Sequence, residues 1–241
     1  RRGAGGGWPA VTLLCCTVTP EAAWLSTDSG VFELDPAGMV EASTSEGTTT
    51  APQGCQESRP GKLVCLGAKL LVLPQARLAL AGAGHRLALL AVAGEVALAG
   101  HGFDELTVGL PDYLNGMVRE LPEGRRNLLL MVVGFSDREQ RVRGFAYASG
   151  ENFEPRELSG NCWTPSPDPE APGYDRLRLL ARAAEAGQLV ETFHAELARN
   201  VAWSTAAGHQ RPGFGVAGPI VCARIDQHGA ARRQIGSLEA P

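Results

Sequence analysis

Residues 11–30 read VTLLCCTVTPEAAWLSTDSG, with a hydroxyl near one end at Thr12 and a carboxylate near the other at Asp28. A threonine hydroxyl becomes a nucleophile only when a neighbouring group takes its proton. The elements between the two residues decide whether they can cooperate. Two apolar runs flank Pro20-Glu21. With those two at the centre of a tight turn, paired residues sum to about 40 or 41, which sets Thr12 opposite Asp28 or one residue off. Directly opposed side chains have Cβ atoms roughly 5 Å apart on one face. Thr12 and Asp28 therefore either share a site or form a polar pair that closes a strand end.

The rest of the chain supplies the scaffold. Short strands are predicted at Lys62–Leu66, Lys69–Leu73 and Arg77–Ala81, and their nearly continuous hydrophobicity predicts a sheet covered on both faces. Helices are predicted at about 85–97 and at about 110–121, the second with Leu114, Met117, Val118 and Leu121 at helical spacing. Residues 127–149 read as a long hairpin across Ser136–Gln140, and a Pro-rich connection, WTPSPDPEAPG, follows. Two further helices are predicted at about 174–186 and about 188–206, then a closing hairpin that turns at Gln227-His228-Gly229. Strand runs alternating with helix pairs predict two packed sheets with a helical layer on either side. The whole chain, 1–241, reads as one domain, with residues 1–10 a flexible leader and the polar segment 41–61 an exposed loop insertion.

Composition narrows the function. A net charge of −4 over 241 residues and a pI near 5.8 leave no basic excess for phosphates, which argues against nucleic acid and anionic membranes as partners. The longest apolar stretch, LALAGAGHRLALLAVAGEVALAG, is interrupted by His85, Arg86 and Glu95, so no membrane span is expected. Six cysteines without C-x-x-C or zinc-finger spacing read as buried thiols in a reducing cytoplasm, and no metal or cofactor is expected. A strand followed by Gly82-Ala83-Gly84, with Asp104 further on, fits part of a dinucleotide fingerprint, but Leu87 stands where its third small residue belongs.

Four segments taken together resemble the proteasome-like N-terminal-nucleophile hydrolases of the β-subunit type. Thr12 on its strand and Trp24-Leu25-Ser26-Thr27-Asp28-Ser29-Gly30 match that family's opening hairpin without a gap. Ala68–Leu73 with Arg77–Gly84 is similar to its lysine-bearing strand and its small-residue approach to the first helix. Val132–Ser136 continuing through Arg143–Tyr147 and, last, Val216–Ile220 match its later strands. The resemblance implies an α+β fold, a four-layer αββα sandwich of two mainly antiparallel sheets between helix pairs. It also implies that Thr12 is the nucleophile, its own freed α-amine the base, Lys69 and Asp28 the supporting pair, and backbone N–H groups around Gly82 the oxyanion site. The implied substrate is a peptide or amide, and the implied partner is the chain itself, a homo-oligomer through its helical layers. Eleven residues precede Thr12, and Val11 stands where self-cleaving members commonly have glycine. Gly213, Phe214, Gly215 and Val216 occupy the stretch where the family has Asp and Ser partners. A catalytically inactive assembly subunit on the same fold is therefore the alternative.

Overall fold

A computed structural model describes residues 12–33, 62–66, 69–84, 86–123, 126–210 and 216–238. The expected leader, residues 1–10, lies outside these, as does the loop insertion 41–61. In chain order the elements are β1 (Leu14–Val18), β2 (Ala22–Thr27), β3 (Gly30–Glu33), β4 (Lys62–Leu66), β5 (Leu70–Leu73), β6 (Leu78–Gly84), α1 (Arg86–Ala99), α2 (Phe103–Arg119), β7 (Leu128–Ser136), β8 (Arg141–Ala148), β9 (Arg156–Leu158), β10 (Gly160–Thr164), α3 (Tyr174–Glu185), α4 (Val190–Ala206), β11 (Gly218–Asp226) and β12 (Gly229–Leu238).

Alternation along the strands accounts for the layers. On β1 and β2, Leu14, Cys16, Ala23 and Leu25 face one apolar cluster, while Cys15, Ala22 and Trp24 face another. A strand with both faces apolar must be covered on both. The first sheet runs β10-β1-β2-β11-β12 and the second β5-β6-β7-β8-β9, with every neighbouring pair antiparallel. The cluster between the sheets joins Leu14 and Leu25 to Ala79, Met131 and Val133. A second packs α3 and α4 on the outer face of the first sheet, and a third packs α1 and α2 on the outer face of the second. The result is the αββα sandwich expected from the sequence. A third, two-stranded sheet pairs β3 with β4.

Three local features differ from the sequence expectation. Helix α2 begins at Phe103, well before the expected residue 110, and Pro111 lies inside it. A proline there has no N–H for the carbonyl four residues back, Thr107. The Tyr147 hydroxyl donates to that Thr107 carbonyl at 3.4 Å. Burial, the main cause, pushes the Tyr147 phenol above its ordinary pKa and keeps it a donor. Tyr147→Phe is expected to cost about 1 kcal/mol, read as a shift in the denaturation midpoint. The second and third differences are β9 and β10, which sequence periodicity missed. β10 is the edge partner of β1 and β9 that of β8.

The dinucleotide reading does not survive the topology, since β6 lies between antiparallel neighbours and belongs to no parallel βαβ unit. Gly134 on β7 permits close approach of α2: a Cβ there would meet Phe103 Cδ2 at 2.3 Å and Cγ at 2.7 Å. Gly134→Ala is therefore expected to destabilise the fold by about 1–3 kcal/mol in a urea titration, since Phe103 must move and the helix start with it. Among the described residues no helix is long and apolar enough to cross a membrane.

Candidate active site

The opening hairpin turns at Pro20-Glu21. Thr19 N–H donates to the Ala22 carbonyl at 2.9 Å, and the Thr19 hydroxyl bridges the same two residues. This tight turn sets the register Leu14↔Thr27. Asp28 therefore falls beside Leu13, one residue off Thr12, which is the second of the two registers the sequence allowed. The Leu13 N–H donates to Asp28 Oδ1 at 3.1 Å. The Ala217 N–H, at the approach to β11, donates to Oδ2 at 3.3 Å. A carboxylate thus fastens the heads of two strands.

Lys69 immediately precedes β5 in the second sheet and reaches across the gap between the sheets. Its Nζ donates to Thr12 Oγ1 at 2.9 Å and lies 3.2 Å from each Asp28 carboxylate oxygen. All three groups are withdrawn from solvent: Asp28 is fully buried, Thr12 is 5% exposed, and the Lys69 side chain is 10% exposed. Burial disfavours both charges. It raises the Asp28 carboxyl above its ordinary pKa although Lys69 pulls it back down. It also lowers the Lys69 ammonium below its ordinary pKa although Asp28 pulls it back up. A buried ion pair is a weak source of stability. Perturbed acid–base groups packed against a hydroxyl are, by contrast, what proton-transfer chemistry requires.

Of the four residues named from the sequence, Thr12, Asp28 and Lys69 converge, and Gly82 stands apart from their hydrogen bonds. It sits on β6 one step beyond the Leu70↔Ala81 pair, level with Lys69. Its missing Cβ faces the helical layer, where a methyl would meet Leu89 Cδ2 at 2.3 Å and the Leu129 carbonyl at 3.2 Å. Packing alone thus accounts for a glycine here.

Sequence reading missed two polar clusters. Ser29, next to Asp28, donates from its hydroxyl to the Pro219 carbonyl at 2.9 Å and from its N–H to Ala217 at 3.3 Å, fixing the segment that carries the Ala217 donor. In the Pro-rich connection, Asp168 Oδ2 accepts from Ser204 Oγ at 2.8 Å and pairs with His209 Nδ1 at 2.7 Å. The Glu170 N–H is the main cause that holds the Asp168 carboxyl below its usual pKa. This cluster pins the connection to the end of α4. Its sequence signal was slight, an acid among prolines. No group of three or more potential metal ligands occurs among the described residues.

Two five-stranded antiparallel sheets between helix pairs form a four-layer αββα sandwich. Among solved structures, the chain is similar to an Anbu mutant from Hyphomicrobium sp. strain MC1, with a TM-score of 0.60 and 13% identity over 95% of this chain and 88% of that one. It is also similar to Anbu, described as an ancestral beta-subunit, from Yersinia bercovieri, with a TM-score of 0.55 and 10% identity over 93% and 87%. At these identities the likeness is one of fold. No protein-family model matches the chain. No curated protein matches it either.

Proposed function

We propose that the chain is a proteasome-like threonine hydrolase of peptide or amide bonds, with Thr12 as nucleophile and Lys69 and Asp28 in support. The observation that carries this reading is the Lys69 ammonium, 2.9 Å from Thr12 Oγ1 and 3.2 Å from both oxygens of the Asp28 carboxylate.

The chemistry follows from these positions. Cleavage of the Val11–Thr12 bond frees the Thr12 α-amine, which takes the hydroxyl proton as Oγ1 attacks a substrate carbonyl. The adjacent Lys69 charge stabilises the developing alkoxide, an effect enlarged by the buried setting. Asp28 holds that ammonium on the hydroxyl and, through the Leu13 N–H, holds the backbone next to Thr12. Backbone N–H groups around Gly82, level with Lys69, take the oxyanion. As the tetrahedral intermediate collapses, the leaving amine takes a proton and an ester remains on Thr12. Water then hydrolyses the ester.

The alternative is an assembly subunit on the same fold without hydrolysis, favoured by Val11 before Thr12. One bond separates the two readings. Intact mass and N-terminal sequencing of protein from its native source should give Thr12 as the first residue. A chain that retains Val11 would favour the assembly subunit.

Self-association through the helical layers belongs to both readings. The outer face of the α1–α2 layer exposes Leu98 at 87% and Val108 at 79%, and that of the α3–α4 layer exposes Leu179 at 65%, apolar side chains that a contact between copies would cover. Sedimentation should give a species larger than the monomer, and Leu98→Glu with Val108→Glu should reduce it.

A further inference from the structure

Cys16 on β1 is the register partner of Cys162 on β10. Opposed residues of an antiparallel pair project to one side of the sheet, with Cα atoms about 4.5 or 5.5 Å apart according to the type of pair. Both spacings fall within the roughly 4.4–6.8 Å that a disulfide spans. The two side chains meet the cluster between the sheets, where Cys16 is fully buried and Cys162 is half-buried. Cys15 and Cys222 are differently placed. They flank Ser26 from opposite sides of β2, so two strand spacings, about 9.5 Å, keep them apart.

We propose that Cys16 and Cys162 form a reversible redox-modification site that closes to a disulfide, tying the strand that follows Thr12 to the edge strand β10. Glutathione disulfide is the oxidant. The partly exposed Cys162, as thiolate, attacks one glutathione sulfur and expels the first glutathione thiolate. The Cys16 thiolate then attacks Cys162 Sγ of the mixed disulfide and expels the second. Two protein thiols are oxidised, one glutathione disulfide is reduced to two glutathiones, and the thiol protons end on those products. Burial holds both thiols above their ordinary pKa, so closure is slow at neutral pH and quickens as pH rises. In a reducing compartment such a bridge forms transiently, as a sensor. The inference stands on the strand register and is independent of whether Thr12 is a nucleophile.

The test is to incubate the full chain with glutathione disulfide at about pH 8.5, block the remaining thiols under denaturing conditions, and map peptides without reduction. The expected result is the loss of two free thiols per chain and a Cys16–Cys162 cross-link that dithiothreitol removes. Cys162→Ser and Cys16→Ser should abolish the cross-link, and Cys15→Ser should retain it. The oxidised chain should melt several degrees higher, since the bridge closes a loop of about 146 residues. If either serine variant folds poorly by circular dichroism, the wild-type map alone decides. A glutathione adduct that stays on Cys162 while Cys16 alkylates, a cross-link to another cysteine, or no loss of thiols would overturn the proposal.

Discussion

Lys69→Met is expected to abolish amide hydrolysis, lowering turnover by at least about 10²-fold, and to destabilise the fold by about 3–5 kcal/mol. Both effects come from the same two distances. The ammonium lies 2.9 Å from the Thr12 hydroxyl and 3.2 Å from the carboxylate oxygens, so its removal takes the positive charge from that hydroxyl and the cation from a buried acid. The second variant of a pair separates the effects. Lys69→Met with Asp28→Asn removes both charges, and breaking a buried pair on one side costs more than replacing both partners. The double variant should therefore regain part of the lost stability and none of the activity. Urea titrations of the two single variants and the double variant, beside turnover of a peptide amide, give the answer. Equal losses of stability in Lys69→Met and the double variant would mean that the pair is not coupled.

The second large effect is acid sensitivity, and it arises on the other face of the first sheet. His194 of α4 is fully buried. Its Nε2 lies 2.9 Å from Thr17 Oγ1 and its Nδ1 lies 2.7 Å from Ser26 Oγ. The Thr17 hydroxyl donates to Asn161 Oδ1 at 2.7 Å. With that proton spent, the hydrogen-bond network assigns the ring proton to Nε2, donating to Thr17, and leaves Nδ1 to accept from Ser26. Burial pushes the His194 pKa down to about 3. The unfolded chain takes up this proton near pH 6.5 and the folded chain only near pH 3, so the unfolded state binds more protons between the two. The contribution is whole above about pH 6.5 and is lost as pH falls, by up to about 1.4 kcal/mol per pH unit and about 4–5 kcal/mol in total. Asp28 works in the opposite sense, since a folded-state pKa above its unfolded value makes stability rise as pH falls through that window. Asp28 acts equally in wild type and in His194→Gln, so the comparison of the two isolates the histidine. Urea midpoints measured from pH 7 to pH 4 should fall more steeply for wild type than for His194→Gln; parallel lines would refute the assignment.

What could be read from the sequence followed from how local its causes are. A two-residue turn at Pro20-Glu21 fixes the register of β1 and β2, so the relation of Thr12 to Asp28 was readable to within one residue. The layers were readable because strands apolar on both faces, such as β7, with every residue buried, admit no other arrangement. Lys69 was different. It joins the site from the second sheet, across a gap that neither periodicity nor spacing records, and only the resemblance of its strand pointed to it. The start of α2 was expected too late, at about 110, and the Tyr147 hydroxyl that takes up the Thr107 carbonyl left without an N–H by Pro111 lies 40 positions beyond Thr107. β9 and β10 are short and carry Arg156, Glu157, Asn161 and Cys162 in place of the Val and Ile that announce strands. Asp168 went unnoticed for a similar reason, since the partners that give it a role, Ser204 and His209, lie at and just beyond the end of the second helix that follows it.

The most direct test of the central claim, that Thr12 and Lys69 form a working nucleophile, is the mass of the protein after incubation with a peptide epoxyketone. Chain beginning at Thr12 should gain one inhibitor mass, mapped to Thr12, and the gain should be absent from Thr12→Ala and strongly slowed in Lys69→Met. Chain that begins at Thr12 and stays unmodified, or carries the label elsewhere, would contradict it.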